Sequence, residues 1–148
     1  IEPRGLTAMT EAIGKTIETT GNYLRDLDDR PGLVIIFILT DGEENASTGT
    51  WSGRSGVNEL KEIIKRQTTV YSWQFVFAGA NIDAVDVGGS IGIDSTRCIN
   101  FSPNSRGHTR AMKACSDMTT DLARMNVEER GNYKGFSDNV RYECMEAN

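Results

Sequence analysis

The strongest chemical signal in this chain is a carboxylate at the end of an apolar run. Leu33–Leu39 is seven consecutive apolar residues, followed directly by Thr40-Asp41-Gly42-Glu43-Glu44-Asn45. The run is too short to cross a membrane and too uniform for a strand with one wet face. It predicts a parallel strand covered on both faces by helices. Fully burying those side chains would contribute about 10–20 kcal/mol as an upper bound. Ligands of open α/β sheets bind outside the carboxyl ends of strands, so Asp41 is the first candidate. Glu43, Glu44 and Asn45 read as solvated loop residues. His108, the single histidine, stands at a helix start and reads as exposed. Trp51, in a polar loop, reads either as an interface anchor or as loop packing.

Composition narrows the classes. The chain has 148 residues, 38% of them hydrophobic, and a formal net charge of −5. That is the size of one ordinary domain with enough apolar side chains for a core. No basic cluster stands out, which argues against a nucleic-acid partner. Cys98, Cys115 and Cys144 are scattered, with no Cys-x-x-Cys pair. A disulfide framework and a zinc site are therefore poorly supported, and a reducing, cytoplasmic setting fits best. Neither a signal peptide nor a membrane span is visible. The first residue is Ile1 and a helical pattern begins almost at once, so the chain reads as a piece of a longer one.

The elements that must position Asp41 follow in order. Met9, Ile13, Ile17, Thr20, Leu24 and Leu27 recur at steps of three and four, with Thr7 in the N-cap position. Arg30-Pro31-Gly32 turns into the central strand. After the polar loop from Gly42 to Gly56, Ser55 or Gly56 caps a helix burying Val57, Leu60, Ile63, Ile64 and Gln67. Trp73–Ala78 reads as a second strand. Asn81 is expected to cap a short helix with Ile82, Val85 and Ile91 as its apolar stripe, weakened by Gly88-Gly89. Cys98–Phe101 reads as a third strand. A last helix, from about Gly107 to Asn126, should turn Ala111, Met112, Cys115, Met118, Leu122 and Met125 inward. Residues 127–148 form a polar tail, docked or frayed, beyond a partial domain of residues 1–126. The alternation of helix and strand without a hairpin signal predicts an α/β fold, a doubly wound and mostly parallel sheet.

Three motifs combine in order: Arg4-Gly5-Leu6-Thr7-Ala8 leading a helix, Phe37-Ile38-Leu39-Thr40-Asp41-Gly42 ending a strand, and Phe77-Ala78-Gly79-Ala80-Asn81 on the next strand. Together they resemble the carboxyl-terminal part of a von Willebrand factor type A domain, in particular the stand-alone bacterial and phage members. The resemblance runs from about Gly5 to Met125. It implies a doubly wound sheet carrying a metal-ion-dependent adhesion site on its upper rim, with Thr7 and Asp41 as ligands. The family's Asp-x-Ser-x-Ser motif is absent, as are the strands that would precede Thr7. The sheet is therefore expected to be incomplete, with the Leu33–Leu39 strand open along one edge. A second polypeptide segment, or a second copy of the chain, would complete it.

The implied ion is magnesium, with manganese or calcium as substitutes. Magnesium takes six oxygens and gives up water reluctantly, so one or two carboxylates with hydroxyls and waters hold it. An open position then accepts an Asp or Glu from a protein partner. Glu43 and Asn81 would stand at the rim as outer groups, and Trp51 as a partner contact. This is a binding module and not an enzyme. The rival is a magnesium-dependent phosphatase-like hydrolase using Asp41 as nucleophile, since Asp41-Gly42-Glu43 loosely imitates an Asp-x-Asp motif. A structural or assembly module that has lost its metal is a further alternative. Gly88-Gly89-Ser90-Ile91-Gly92 lacks the spacing of a dinucleotide-binding loop.

Overall fold

The computed structural model describes residues 6–29, 31–40 and 53–146, the side chains of 6–8, 53 and 54 apart. Its order is α1 (Leu6–Arg25), β1 (Ile35–Thr40), α2 (Gly53–Tyr71), β2 (Gln74–Gly79), α3 (Ala84–Ser90), a 3₁₀ turn (Ser95–Arg97), β3 (Cys98–Asn100), α4 (Ser105–Ala123), α5 (Val127–Gly131) and α6 (Asp138–Met145). The strands form one parallel sheet in the order β1-β2-β3. Ile35 lies opposite Gln74 and Thr40 opposite Gly79, while Phe77 lies opposite Cys98. This is the α/β architecture expected, with helices on both faces of the sheet.

Two apolar layers sandwich β2, all six of whose residues are buried. On the first face Ile13 and Ile17 of α1 and Leu60 and Ile64 of α2 meet Ile36, Ile38, Phe75 and Phe77, and Ala84 of α3 joins them. On the second face Ala111, Ala114, Cys115, Met118 and Leu122 of α4 cover Val76, Ala78 and Ile99, with Cys144 of α6 alongside.

β1 departs from the expected burial on both faces. Ile36 and Ile38 are buried, but Phe37 is 43% and Leu39 40% exposed. The reason is position: β1 is the edge strand of the described sheet, and of its second-face side chains Ile35 packs on the α4 layer while Phe37 and Leu39 do not join it.

Helix boundaries also differ from expectation. α1 starts at Leu6, so Thr7 lies in its first turn and is not the N-cap. Helix α1 closes on Arg25, a cation suited to the negative end of the dipole, and Asp26, Asp28 and Asp29 fall beyond it. Ser55 and Gly56 lie inside α2. The cap of α3 is Asp83, whose carboxylate accepts from the Asp86 amide at 3.1 Å, and Val85 on the expected buried stripe is exposed. Met112 is exposed, while Ala114 takes the inward position.

Residues 127–146 are docked, not frayed. Arg130 donates Nε to the Leu122 carbonyl at 2.9 Å and Nη1 to the Gly32 carbonyl at 3.0 Å, joining the end of α4 to the approach to β1. Arg141 reaches the carbonyls of Cys98 (2.6 Å) and Ser95 (2.9 Å). Ser102 Oγ donates to the Met145 carbonyl at 2.6 Å. Phe136 follows Gly135, which holds φ +78°. An added Cβ on Gly135 would come within 2.0 Å of the Thr96 carbonyl oxygen, so a bare backbone is required there.

Gly88 has a comparable packing role that its low helix propensity conceals. A Cβ there would sit 2.5 Å from the Cys98 Sγ and 3.5 Å from Phe77, so glycine lets α3 lie close on β2 and β3. Gly88→Ala is expected to cost about 1–3 kcal/mol by overpacking. Combined with Cys98→Ala it should cost less than the sum of the two single changes, because the clashing sulfur is gone. Urea denaturation of the wild type, both single variants and the double variant checks this.

Candidate functional site

The carboxyl ends of the strands define the rim where chemistry was expected. The Thr40 carbonyl accepts the Ala80 amide at 2.9 Å, and the Gly79 carbonyl accepts the Phe101 amide at 3.0 Å. The three exits are thus tied side by side before their loops diverge.

α1 brings its amino terminus to this same rim. The later turns of α1 (Gly21, Leu24, Arg25) and of α2 (Gln67, Tyr71) line one cleft with Gly32, Val34 and Trp73, at the entry end of the strands. Both helices therefore run opposite to the strands, as crossover helices do. The first turn of α1, which contains Thr7, lies at the carboxyl rim with the end of β1. The Thr7 side chain lies outside the described residues, as do Asp41, Glu43 and Trp51. Among the described residues, no three His, Cys, Asp or Glu side chains come together as a possible metal cage.

Asn81 is described, and it does not cap α3. It adopts φ +62°, in the left-handed region that asparagine tolerates better than most residues, and it is exposed. It stands at a cleft of about 580 Å³ shared with Ala80, Phe101, Asn104, Ser105 and His108. His108 meets Phe101 edge-on, with ring centroids 6.1 Å apart. The cleft has a topological cause. The chain leaving β2 enters α3 on the first face, whereas the chain leaving β3 enters α4 on the second. A crevice opens wherever neighbouring strands send their connections to opposite faces. Asn100, at the end of β3, spans the fork by accepting the Ala84 amide at 2.8 Å. Sequence reasoning missed this feature because it depends on which face each helix covers, and periodicity does not report that.

At the opposite end of the sheet lies a polar cluster. Arg97 donates to the Gln74 amide oxygen and, at 3.2 Å, to the Arg130 carbonyl, and it stacks over Tyr133 at 5.4 Å. Tyr133 donates to Asp121 at 2.9 Å. Burial, reinforced by that bond to Asp121, pushes the phenol up to about 12. Burial also lowers Arg97 from the usual arginine range. These groups join β2, the 3₁₀ turn before β3, α4 and the α5 segment, which is a structural role remote from the rim.

The cysteines are buried in the two apolar layers, and none forms a disulfide. Burial pushes the thiols of Cys98 and Cys115 each up to about 11, and raises Cys144 as well. A thiol in that state is neutral at pH 7 and a poor nucleophile. We expect all three to resist a chromogenic disulfide reagent at pH 8 in the native state and to react once the chain is unfolded. Because the folded pKa values lie above the unfolded ones, their contribution to stability is fully present below pH 9. It is lost as pH rises through 11, which denaturation midpoints measured across that window will show.

The chain was compared with family models, with curated proteins and with solved structures, and it matches none of them.

Proposed function

We propose that this chain is the later portion of a von Willebrand factor type A-like binding module, which grips a protein partner through a divalent cation. Thr7 and Asp41 are its cation ligands, with Glu43 and Asn81 as outer groups and Trp51 at the partner contact. The observation that supports this reading is the shared rim: the first turn of α1 and the carboxyl end of β1 lie on the same side of the sheet. A hydroxyl from the former and the carboxylate following the latter are two of the oxygens that magnesium accepts.

The chemistry of such a site is binding without turnover. One protein carboxylate leaves most of the ion's charge uncompensated and several positions filled by water. An incoming Asp or Glu from the partner displaces a water and adds the second negative charge, so recognition becomes both acid-specific and metal-dependent. With only two ligands from this chain the ion is held weakly, and further oxygens from a second polypeptide segment tighten it.

Calorimetric titration with magnesium and with manganese tests the assignment, using the wild type and Asp41→Ala. The expected result is weak binding by the wild type and at least a tenfold loss in the variant, about 1.4 kcal/mol. Equal metal affinity in the two proteins would remove Asp41 from the site and the cation from the proposal.

A further inference from the structure

Two helices pack on each other and then part. Ile13 and Ile17 of α1 meet Leu60 and Ile64 of α2 in the first-face core. Residues three or four apart share a helix face. The next place on this face of α1 therefore belongs to Gly21, and on α2 to Gln67. The apolar ladder stops at both. Beyond them opens a cleft of about 830 Å³ at the entry end of the strands, with Gly21 and Gln67 in its wall. Ile17, Leu24, Val34, Ile63 and Trp73 supply its apolar lining.

Neither interruption has a packing explanation. Glycine inside a helix costs stability relative to alanine. Gly88 is required by a close approach, but a Cβ added at Gly21 would meet nothing within 4 Å. What the bare position does is leave the cleft open. Gln67 is only 9% exposed. Its backbone carbonyl accepts the Trp73 amide at 3.0 Å, whereas its side-chain amide has no hydrogen-bond partner among the described residues. Gln74, Ser102 and Arg130, buried to a similar degree, all make side-chain bonds. A buried amide left unpaired is costly. This one lines the cleft, where an incoming group can reach its donor and its acceptor.

The mouth carries charge. Exposed Arg25, Arg66 and Glu18 line it, two cations against one anion. Arg66 has no hydrogen-bond or ion-pair partner among the described residues. A guanidinium presents a planar fork that fits a carboxylate through two parallel bonds. An apolar wall with a few convergent polar groups, in this range of volume, is the usual make-up of a small-molecule site.

We propose that this cleft binds a small monocarboxylate with an apolar body. The body lies against Trp73 and its aliphatic neighbours. The carboxylate meets the Arg66 guanidinium and accepts from the Gln67 amide, and its single charge matches the surplus at the mouth. The site lies at the opposite end of the strands from the rim and does not depend on the cation.

Nitrogen-15 NMR titration of the chain with 2-naphthoate, and with the neutral 2-naphthalenemethanol, tests this. The reporters are the Gln67 side-chain amide, the Trp73 indole N–H and the backbone amides of Gly21 and Gly32. The amides of Ala80 and His108, at the far end of the sheet, are controls. The expected result is saturable shifts at the reporters alone, with the alcohol at least about tenfold weaker than the acid. Arg66→Gln, at an exposed position, should reduce naphthoate to the level of the alcohol. Gly21→Leu installs a better helix former and fills the cleft, so it should keep the fold and lose both probes. Gln67→Leu removes no bond. Its urea midpoint should equal or exceed that of the wild type, while naphthoate weakens at least about fivefold. Solvent alone in the cleft would show as no saturable shift with either probe. That result, equal binding of acid and alcohol, or unaltered naphthoate binding in Arg66→Gln would each overturn the proposal. So would a lower urea midpoint in Gln67→Leu, since the amide would then have had a partner within the fold. None of these readouts involves Asp41 or a divalent cation, so the two proposals fail separately.

Discussion

The complete withdrawal of β2 from water is the constraint on which the rest depends. A parallel strand buried on both faces and paired on both edges has no solvent side, so helices must cover it above and below. From that follow α2 and α3 on one face, α4 on the other, and the close approach permitted by Gly88. The crevice between β2 and β3 follows too, because connections leaving adjacent strands are sent to opposite layers. β2 is the axis of the described sheet, although β1 is the more apolar run in sequence.

The carboxyl-terminal segment holds this arrangement with arginines instead of apolar bulk. Arg130 and Arg141 each bridge two backbone carbonyls, and Arg97 shares its donors between Gln74 and the Arg130 carbonyl. A planar guanidinium with five donors suits that task, since it satisfies several separated acceptors from one side chain. Arg130 in this way ties the end of α4, at the Leu122 carbonyl, to the approach to β1, at the Gly32 carbonyl.

Much of the fold was legible because periodicity reports element type well. The three strands and the main helices stand where apolar spacing predicts them, within a few residues. The misreadings have separate physical causes. The exposure of Phe37 and Leu39 follows from the place of β1 at the edge of the described sheet, about which the composition of β1 carries no information. Helical spacing groups Met112 with the inward methionine stripe, yet α4 lies close to the sheet through the small Ala111 and Ala114, and the larger side chain turns out. Asn81 and Asp83 are both capping types two positions apart. Only the backbone separates them, left-handed at one and extended at the other. Residues 127–146 looked like a tail because buried arginines are indistinguishable from surface ones in sequence. At the rim, the first turn of α1 and the end of β1 were brought together by the ordinary logic of a crossover helix, which the alternation of elements already contained. The fork at β2 and β3 was not, because it arises from layer choice.

The bond from Arg130 to the Gly32 carbonyl closes a loop spanning 98 positions. During synthesis, the ribbon Leu33–Leu39 leaves the ribosome long before its distant fastener exists. Long-range closure of this kind raises contact order and slows folding. The most adhesive stretch of the chain is therefore also among the last to be locked, and yield in a cell will depend on how quickly nascent chains are shielded from one another during that interval.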